Sequence, residues 1–363
     1  MFWKKKRVYL DTSAGVAGNP SSPHTEGREA KRVLEGARTR IARLLEVQAD
    51  DIIFTSGATE ANALAILGLL KGGDHALYLP SAHASVVENM KLVAERGVAI
   101  EPLPIKDYRV DVGALAKLVR PETKLVSMDA VCGETGVTWN TREVKQVIGS
   151  KVMLHVDASQ APLTEKLTRA HFDADMLTLD MSKVSVERGM GLLVARRTIM
   201  LSPLFKGGGQ ERGLRSGSEA PLLAESFAKA LARAQEGREA FVAKARAQRA
   251  RLVQDIMKKI QNAFIQEGKS QAPNIVNLSL PQRDTDYLLA LLDEAGFALS
   301  SRSACETDSE EGSRAVFALT GDAERAKATL RISWNAETSE QDLARFAKKL
   351  ASEVAFIDSA GSR

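Results

Sequence analysis

Short apolar runs that alternate with helical patterns between residues 51 and 195 constrain the fold of this chain more than any other feature. The runs span three or four residues each, at 52–54, 77–79, 125–128, 153–156, 176–179 and 192–195. Runs of this length, separated by stretches long enough for a helix, are typical of buried strands in a parallel sheet. The sequence therefore predicts an α/β lobe with a mainly parallel sheet.

The pattern differs on either side of this region. Before it, we predict a strand at 8–10, a Gly/Pro/Ser loop at 15–23 and a helix with an apolar stripe from Ala30 to Leu45. After it, the predicted elements are long helices within 220–263, a strand at 274–280, a helix at 285–294, a strand at 330–334 and an amphipathic helix at 339–354. This indicates a large domain over 12–235 and a smaller α+β domain formed by 1–11 and 236–363.

Composition argues against several classes of protein. The 363 residues are 44% hydrophobic and carry a net charge of only +4, with basic residues interleaved with Glu and Ala at helical spacing, so nucleic-acid binding is not expected. The longest apolar stretch, 61–70, is shorter than the roughly 20 residues of a membrane span, and no targeting segment is recognised. The two cysteines, Cys132 and Cys305, form neither a disulfide framework nor a metal cluster. We expect a cytoplasmic protein without a bound metal.

Segment 55–60, Thr-Ser-Gly-Ala-Thr-Glu, follows the first predicted strand of the α/β lobe and opens a helix. Backbone N–H groups at a helix start attract anions, and the Thr59 hydroxyl adds a donor. A phosphate site and a simple helix cap are equally compatible with this segment.

Two charged residues follow predicted strands of the same lobe. Asp157 ends the run at 153–156, where a carboxylate can keep the nitrogen of a pyridoxal ring protonated, although a lone aspartate more often caps a helix. Lys183 follows the run at 176–179, and a neutral lysine there can form a Schiff base. Lys206 is the competing lysine, but it precedes a glycine turn rather than ending a core strand.

Cys305 lies in a small polar run, 300–306, that leads into an acidic segment. A structural cysteine usually has apolar neighbours, so Cys305 is interpreted as a thiolate that reaches a substrate from a loop. Cys132 follows a predicted strand, and both a core and a functional role remain open for it.

Taken in order, these segments resemble the cysteine desulfurases of the nitrogen-fixation and iron–sulfur assembly type, a class-V aminotransferase branch of the fold-type I pyridoxal-phosphate enzymes. The resemblance covers nearly the whole chain. Its marks are His83, Lys183 and the segments 9–11, 18–22, 54–60, 134–136, 155–160, 207–213, 215–218, 303–305 and 330–333. It implies an aspartate-aminotransferase-like fold whose large lobe holds a mainly parallel seven-stranded sheet.

The resemblance also implies a cofactor, pyridoxal 5'-phosphate, and a role for each matching residue. At the ring, the resemblance implies that Lys183 binds the cofactor, Asp157 pairs with the ring nitrogen, His83 stacks on the ring and assists proton transfer, and Gln160 approaches the ring hydroxyl. At the phosphate, it implies contacts from Ala58 and Thr59, and from Ser218 to the phosphate of the neighbouring subunit of a homodimer. Asn19 and Arg331 are implied to bind the substrate. By the same resemblance, L-cysteine becomes L-alanine and its sulfur passes to Cys305 as a persulfide, for transfer to an acceptor protein that serves iron–sulfur cluster or thio-cofactor synthesis.

The chain departs from the family pattern around the cofactor. Cys132 and Gly133 stand where an asparagine usually precedes the Glu-x-Gly motif, and Asp180 and Ser182 replace a phosphate-binding serine and a histidine. Because like charges repel, Asp180 predicts weakened phosphate binding, and Glu187 adds a second acid. Two alternatives follow: a selenocysteine lyase or aminotransferase of the same branch, and a cofactor-poor homologue that acts as a binding scaffold.

Overall fold

The computed structural model describes residues 7–301 and 312–361. The strands in these ranges are β1 (Ile52–Thr55), β2 (His75–Tyr78), β3 (Ala99–Pro102), β4 (Ile105–Lys106), β5 (Arg109–Val110), β6 (Thr123–Asp129), β7 (Met153–Asp157), β8 (Met176–Asp180), β9 (Gly191–Ala195), β10 (Phe264–Ile265), β11 (Ile275–Ser279) and β12 (Thr329–Ser333). The helices are α1 (Thr25–Leu45), α2 (Ala58–Leu67), α3 (Ala84–Glu95), α4 (Val112–Leu118), α5 (Thr141–Ile148), α6 (Arg169–Phe172), α7 (Pro221–Lys259), α8 (Thr285–Glu294), α9 (Arg314–Thr320), α10 (Ala323–Lys327) and α11 (Glu340–Gly361).

The main sheet has seven strands in the order β1-β9-β8-β7-β6-β2-β3. Strands β3, β2, β6, β7 and β8 run parallel, and β9 pairs antiparallel with both β8 and β1. All residues of β1 and β9 are buried, as expected for strands covered on both faces. The predicted α/β fold with a mainly parallel seven-stranded sheet is confirmed.

Two local predictions were wrong. Residues 8–10 are not a strand, and Val8 and Leu10 are 67% and 88% exposed, so their apolar side chains do not belong to the core. The helices predicted within 220–263 are a single helix, α7, which begins with Pro221 at a position where the missing N–H costs nothing. The edge strand β3, half of which is exposed, lacks a continuous apolar run and was not predicted.

Helix α7 contributes to two hydrophobic cores. Its first half packs Phe227 and Leu231 into the core around the seven-stranded sheet. Its second half packs Leu252 and Ile256 against the antiparallel sheet β10-β11-β12 and helix α11. The chain thus passes from one core to the other inside a helix, and the predicted domain boundaries stay a prediction. In the described ranges, no helix is both long and apolar enough to span a bilayer.

Candidate active site

A cavity of ≈ 280 Å³ lies where the parallel strands β6, β7 and β8 end. Its lining comes from the start of α2, the loop after β2, the three strand ends, the start of α9 and strand β12. A larger cavity of ≈ 410 Å³ around Trp139 and His171 contains none of the predicted site residues. The smaller cavity is therefore the candidate active site, in agreement with the usual position of sites in open parallel sheets.

Most of the predicted site residues meet in this cavity. Those that line it are Ala58, Thr59, His83, Asp157, Gln160, Lys183 and Arg331. Asn19 and Ser218 do not line it: the Asn19 amide donates to the carbonyl of Ala14 at 3.1 Å, and Ser218 is exposed. Lys206, the competing lysine, is exposed and lies outside the cavity lining.

Cys305 lies outside the described residues, but the chain on both sides of its segment adjoins the cavity. On one side, the Ser300 hydroxyl accepts a hydrogen bond from Arg331 Nη2 at 3.2 Å. On the other side, Arg314 lines the cavity and donates from Nη2 to the carbonyl of Ala82 at 3.0 Å. One flank therefore begins next to Arg331, which is predicted to bind substrate, and the other begins in the cavity lining.

Asp157 is buried and its two carboxylate oxygens are held separately. Oδ1 accepts the Ser159 N–H at 2.9 Å, and Oδ2 accepts the Asn62 amide at 2.7 Å. The same Asn62 nitrogen donates to the Ser85 hydroxyl at 2.9 Å. Asn62 was not predicted as a site residue, because its contact with Asp157 spans 95 positions of sequence.

The Ser85 hydroxyl extends this network to His83. It lies 2.8 Å from His83 Nδ1, which also accepts the Ser85 backbone N–H at 3.2 Å. Since Nδ1 accepts a hydrogen bond, the proton of the neutral ring sits on Nε2. The network therefore fixes both the orientation of Asp157 and the tautomer of His83.

Asp129 is a further acid in the cavity that was not predicted. It ends β6, pairs in register with Asp157 at the end of β7, and is 5% exposed. Burial, and then the negative charge of Asp157, raise the pKa of Asp129 well above its ordinary value. Asp129 therefore holds its proton more tightly than an exposed aspartate, which limits the repulsion between the two acids.

The start of α2 carries two carboxylates. The Ala58 N–H donates to Asp180 Oδ2 at 2.8 Å, and the Ser56 N–H donates to Glu60 at 2.6 Å. The N-cap residue of α2, Gly57, has no side-chain cap, and the end of β8 supplies the carboxylate that accepts the first N–H of the helix. Both interpretations of segment 55–60, a phosphate site and a helix cap, stay predictions.

Gly133 and Gln160 lie against each other. A Cβ atom at position 133 would come within 2.9 Å of Gln160 Nε2, which is closer than a side chain tolerates. The Gly133 carbonyl accepts Arg331 Nη1 at 3.3 Å. A side chain at position 133 would thus require the end of the Gln160 side chain to shift.

Cys132 is a buried thiol, and we expect it to be unreactive in the folded protein. It is 1% exposed, and burial raises its pKa from 9.0 to about 12. Because the thiolate is the reactive form, alkylation at neutral pH should be at least about 10³-fold slower than for an ordinary cysteine. The measurement is iodoacetamide labelling of the Cys305→Ala variant, whose single thiol should react rapidly only after unfolding in urea. Rapid labelling of the native variant would show that Cys132 is accessible and ionised.

Comparisons with known proteins agree with this arrangement. Residues 6–346 match the family model of class-V aminotransferases. The chain is 32% identical over 340 residues to "Cysteine desulfurase IscS 1" of Archaeoglobus fulgidus, covering 92% of this chain and 88% of that protein. The chain belongs to the cysteine desulfurase family.

Solved structures of similar proteins show the same fold. A NifS-like protein superposes with a TM-score of 0.86 at 28% identity, covering 93% of this chain and 92% of the other. A structure described as SspA in complex with cysteine superposes with a TM-score of 0.73 at 26% identity, covering 87% and 90% of the two chains.

Cysteine desulfurases use pyridoxal phosphate, and the cavity fits the ring end of this cofactor. The Lys183 amine lines the cavity, and none of the described residues forms a hydrogen bond or ion pair with it. Asp157 lines it too, from the end of β7. The phosphate end fits less well, because the Asp180 carboxylate already accepts the Ala58 N–H at the helix start.

Proposed function

We propose that this chain is a pyridoxal-phosphate-dependent cysteine desulfurase that converts L-cysteine to L-alanine and retains the sulfur on Cys305 as a persulfide. The observation that carries the proposal is the meeting of Lys183, Asp157 and Arg331 in one cavity. The relatives named cysteine desulfurase and the related structure with bound cysteine support the choice of substrate.

The residues of the cavity divide the chemistry among them. When bound, pyridoxal phosphate supplies an electron sink for the negative charge that develops at the substrate Cα. Lys183 would hold the cofactor and take the Cα proton, and Asp157, fixed by Ser159 and Asn62, would keep the ring nitrogen protonated. The planar guanidinium of Arg331 suits a substrate carboxylate.

Cys305 is the nucleophile of the sulfur transfer step. Its thiolate attacks the substrate sulfur, so that an S–S bond forms as the Cβ–S bond breaks. The electron pair of the broken bond stays on the substrate carbon, which takes up a proton and becomes the methyl group of alanine. The persulfide sulfur then passes to a thiol of an acceptor protein, for iron–sulfur cluster or thio-cofactor synthesis.

The proposal includes a setting for the enzyme. We place it in the cytoplasm as a homodimer, with no nucleic-acid or membrane partner. Ser218 supports the dimer, because it is exposed and lies outside the cavity of its own chain, where it is free to reach a second copy. The net charge of +4 is small for 363 residues and gives no basis for a nucleic-acid partner.

The test is to supply L-cysteine and pyridoxal phosphate to the purified protein and to measure alanine together with protein-bound persulfide. We expect equimolar alanine and persulfide in a single turnover, with the persulfide on the peptide that contains Cys305. The Cys305→Ser variant should lose the persulfide, whereas Cys132→Ala, which removes the other thiol, should keep it. Alanine release by Cys305→Ser at the parent rate would instead indicate the lyase, and no alanine from any variant would indicate the scaffold.

A further inference from the structure

We propose that the Asp180 carboxylate occupies the phosphate subsite of the cavity and disfavours binding of the phosphate group. The protein then binds pyridoxal phosphate less tightly than the contacts to the pyridoxal ring alone would allow. This inference rests on the cofactor of the proposed function. It concerns a residue that the chain carries in place of the family's serine.

The geometry places Asp180 between two elements of the site. Oδ2 accepts the Ala58 N–H at the first residue of α2, at 2.8 Å. Oδ1 accepts both the backbone N–H and the hydroxyl of Ser182, at 2.8 and 2.5 Å, in the turn that carries Lys183. Both oxygens thus have partners, and the carboxylate ties the turn of Lys183 to the helix start.

The neighbouring contacts place two carboxylates at this helix start. A Cβ atom on Gly57 would lie 3.4 Å from Asp180 Oδ2, so the carboxylate also lies next to that residue. The Ser56 N–H is taken by Glu60. Two backbone donors at this helix start, the N–H groups of Ser56 and Ala58, are therefore directed at carboxylates of the protein itself.

The charges of the two carboxylates are balanced differently. Arg215 donates from Nε to Glu60 at 3.2 Å, which offsets the charge of Glu60. Asp180 has no Lys or Arg within ion-pair distance among the residues that the structure describes. Among these residues, no counter-charge offsets the charge of Asp180 next to the Ala58 N–H.

A phosphate has two ways to bind here, and Asp180 opposes both. If the phosphate accepts the Ala58 N–H, Asp180 must give up that hydrogen bond. If it binds beside Asp180, a group with up to two negative charges at neutral pH meets a third one in a partly enclosed site, where repulsion exceeds that in water. Unphosphorylated pyridoxal avoids both costs, because it lacks the phosphate.

The experiment compares the two forms of the ring without substrate. The dissociation constants of pyridoxal phosphate and pyridoxal are measured by absorbance titration for the parent protein, Asp180→Ser and Asp180→Asn. We expect both substitutions to tighten pyridoxal phosphate binding at least about tenfold, which corresponds to about 1.4 kcal/mol. The dissociation constant of pyridoxal should change by less than about twofold.

Glu187→Gln is the matched control, because it removes one negative charge near Lys183 without touching α2. The Glu187 carboxylate accepts the Ser226 hydroxyl instead. This control should leave both dissociation constants within about twofold of the parent values. A similar gain from Glu187→Gln would mean that net charge, not the phosphate subsite, decides the affinity, and would overturn the inference.

Two further results would also overturn it: an unchanged dissociation constant for pyridoxal phosphate in Asp180→Ser, or equal tightening for both ring compounds. Because cysteine is absent, the outcome is independent of turnover. A protein that binds the cofactor as expected but makes no alanine would contradict the proposed desulfurase and leave the role of Asp180 standing. Circular dichroism checks that each variant is folded, and Asp180→Asn keeps the shape of the side chain if serine disturbs the turn.

Discussion

Replacing Lys183 with arginine should lower the rate of alanine formation from L-cysteine by at least about 10³-fold. Arginine keeps the positive charge, but its guanidinium stays protonated at any working pH, so it can neither bind a carbonyl carbon covalently nor accept the Cα proton. Lys183 is exposed, and its amine makes no hydrogen bond or ion pair with the described residues. The fold should therefore tolerate the change, which circular dichroism and the thermal midpoint would verify.

Lys206→Arg is the control for this prediction. Lys206 is the competing lysine of the sequence, and it is exposed outside the cavity lining. Its replacement should leave the rate of alanine formation within about twofold of the parent value. The opposite pattern, with activity lost in Lys206→Arg and kept in Lys183→Arg, would assign the cofactor to Lys206 and move the active site to the glycine turn.

The strand ends show how much of the site could be predicted from the sequence. Asp157 and Lys183 follow short buried runs, and the carboxyl ends of parallel strands form one edge of a sheet, so their proximity follows from the pattern. Asp129 carries the same signal as Asp157. Its importance depends on strand order and register, which set the two acids opposite each other and which no local pattern encodes.

The contacts that hold the site were beyond prediction because they join distant segments. Ala58 and Asp180 are 122 positions apart, and Asn62 and Asp157 are 95 apart. The sequence identified Asp180 as an unusual residue near the phosphate site, but not that its carboxylate accepts a hydrogen bond from the helix start. Which donors remain for a ligand depends on such long-range pairs, since nearly every buried donor finds an acceptor.

A second long-range pair, Arg38 with Glu211, lies close to the start of α2 in the fold and contacts strand β1. Glu211 accepts Arg38 Nη1 and Nη2 at 2.8 and 2.6 Å, and it also accepts the Phe54 N–H at 2.8 Å near the end of β1. Although burial opposes it, the Glu211 carboxylate keeps the pKa of Arg38 above its ordinary value. The loop that contains Glu211 continues to Arg215, whose Nε donates to Glu60 at the start of α2.

The Glu211→Ala substitution should lower the free energy of unfolding by about 3–5 kcal/mol, as expected when one partner of a buried ion pair is removed. Within the described part of the chain, it would leave the buried Arg38 guanidinium with only the half-exposed Glu35 as a counter-charge, and the Phe54 N–H without its acceptor. Backbone conformation adds to the effect, since Glu211 and Arg212 both have positive φ angles, at 47° and 62°, and such strain persists only where contacts enforce it. Urea denaturation followed by circular dichroism measures the loss.

The double variant Arg38→Met, Glu211→Leu separates the two sources of this loss. If the cost of Glu211→Ala comes mainly from an unpaired buried charge, replacing both partners with apolar residues of similar volume should restore most of the stability. If instead the Phe54 hydrogen bond and the loop conformation dominate, the double variant should be no more stable than Glu211→Ala. An unfolding midpoint for Glu211→Ala equal to that of the parent would show that the Arg38–Glu211 pair does not stabilise the fold, including the segments around the start of α2.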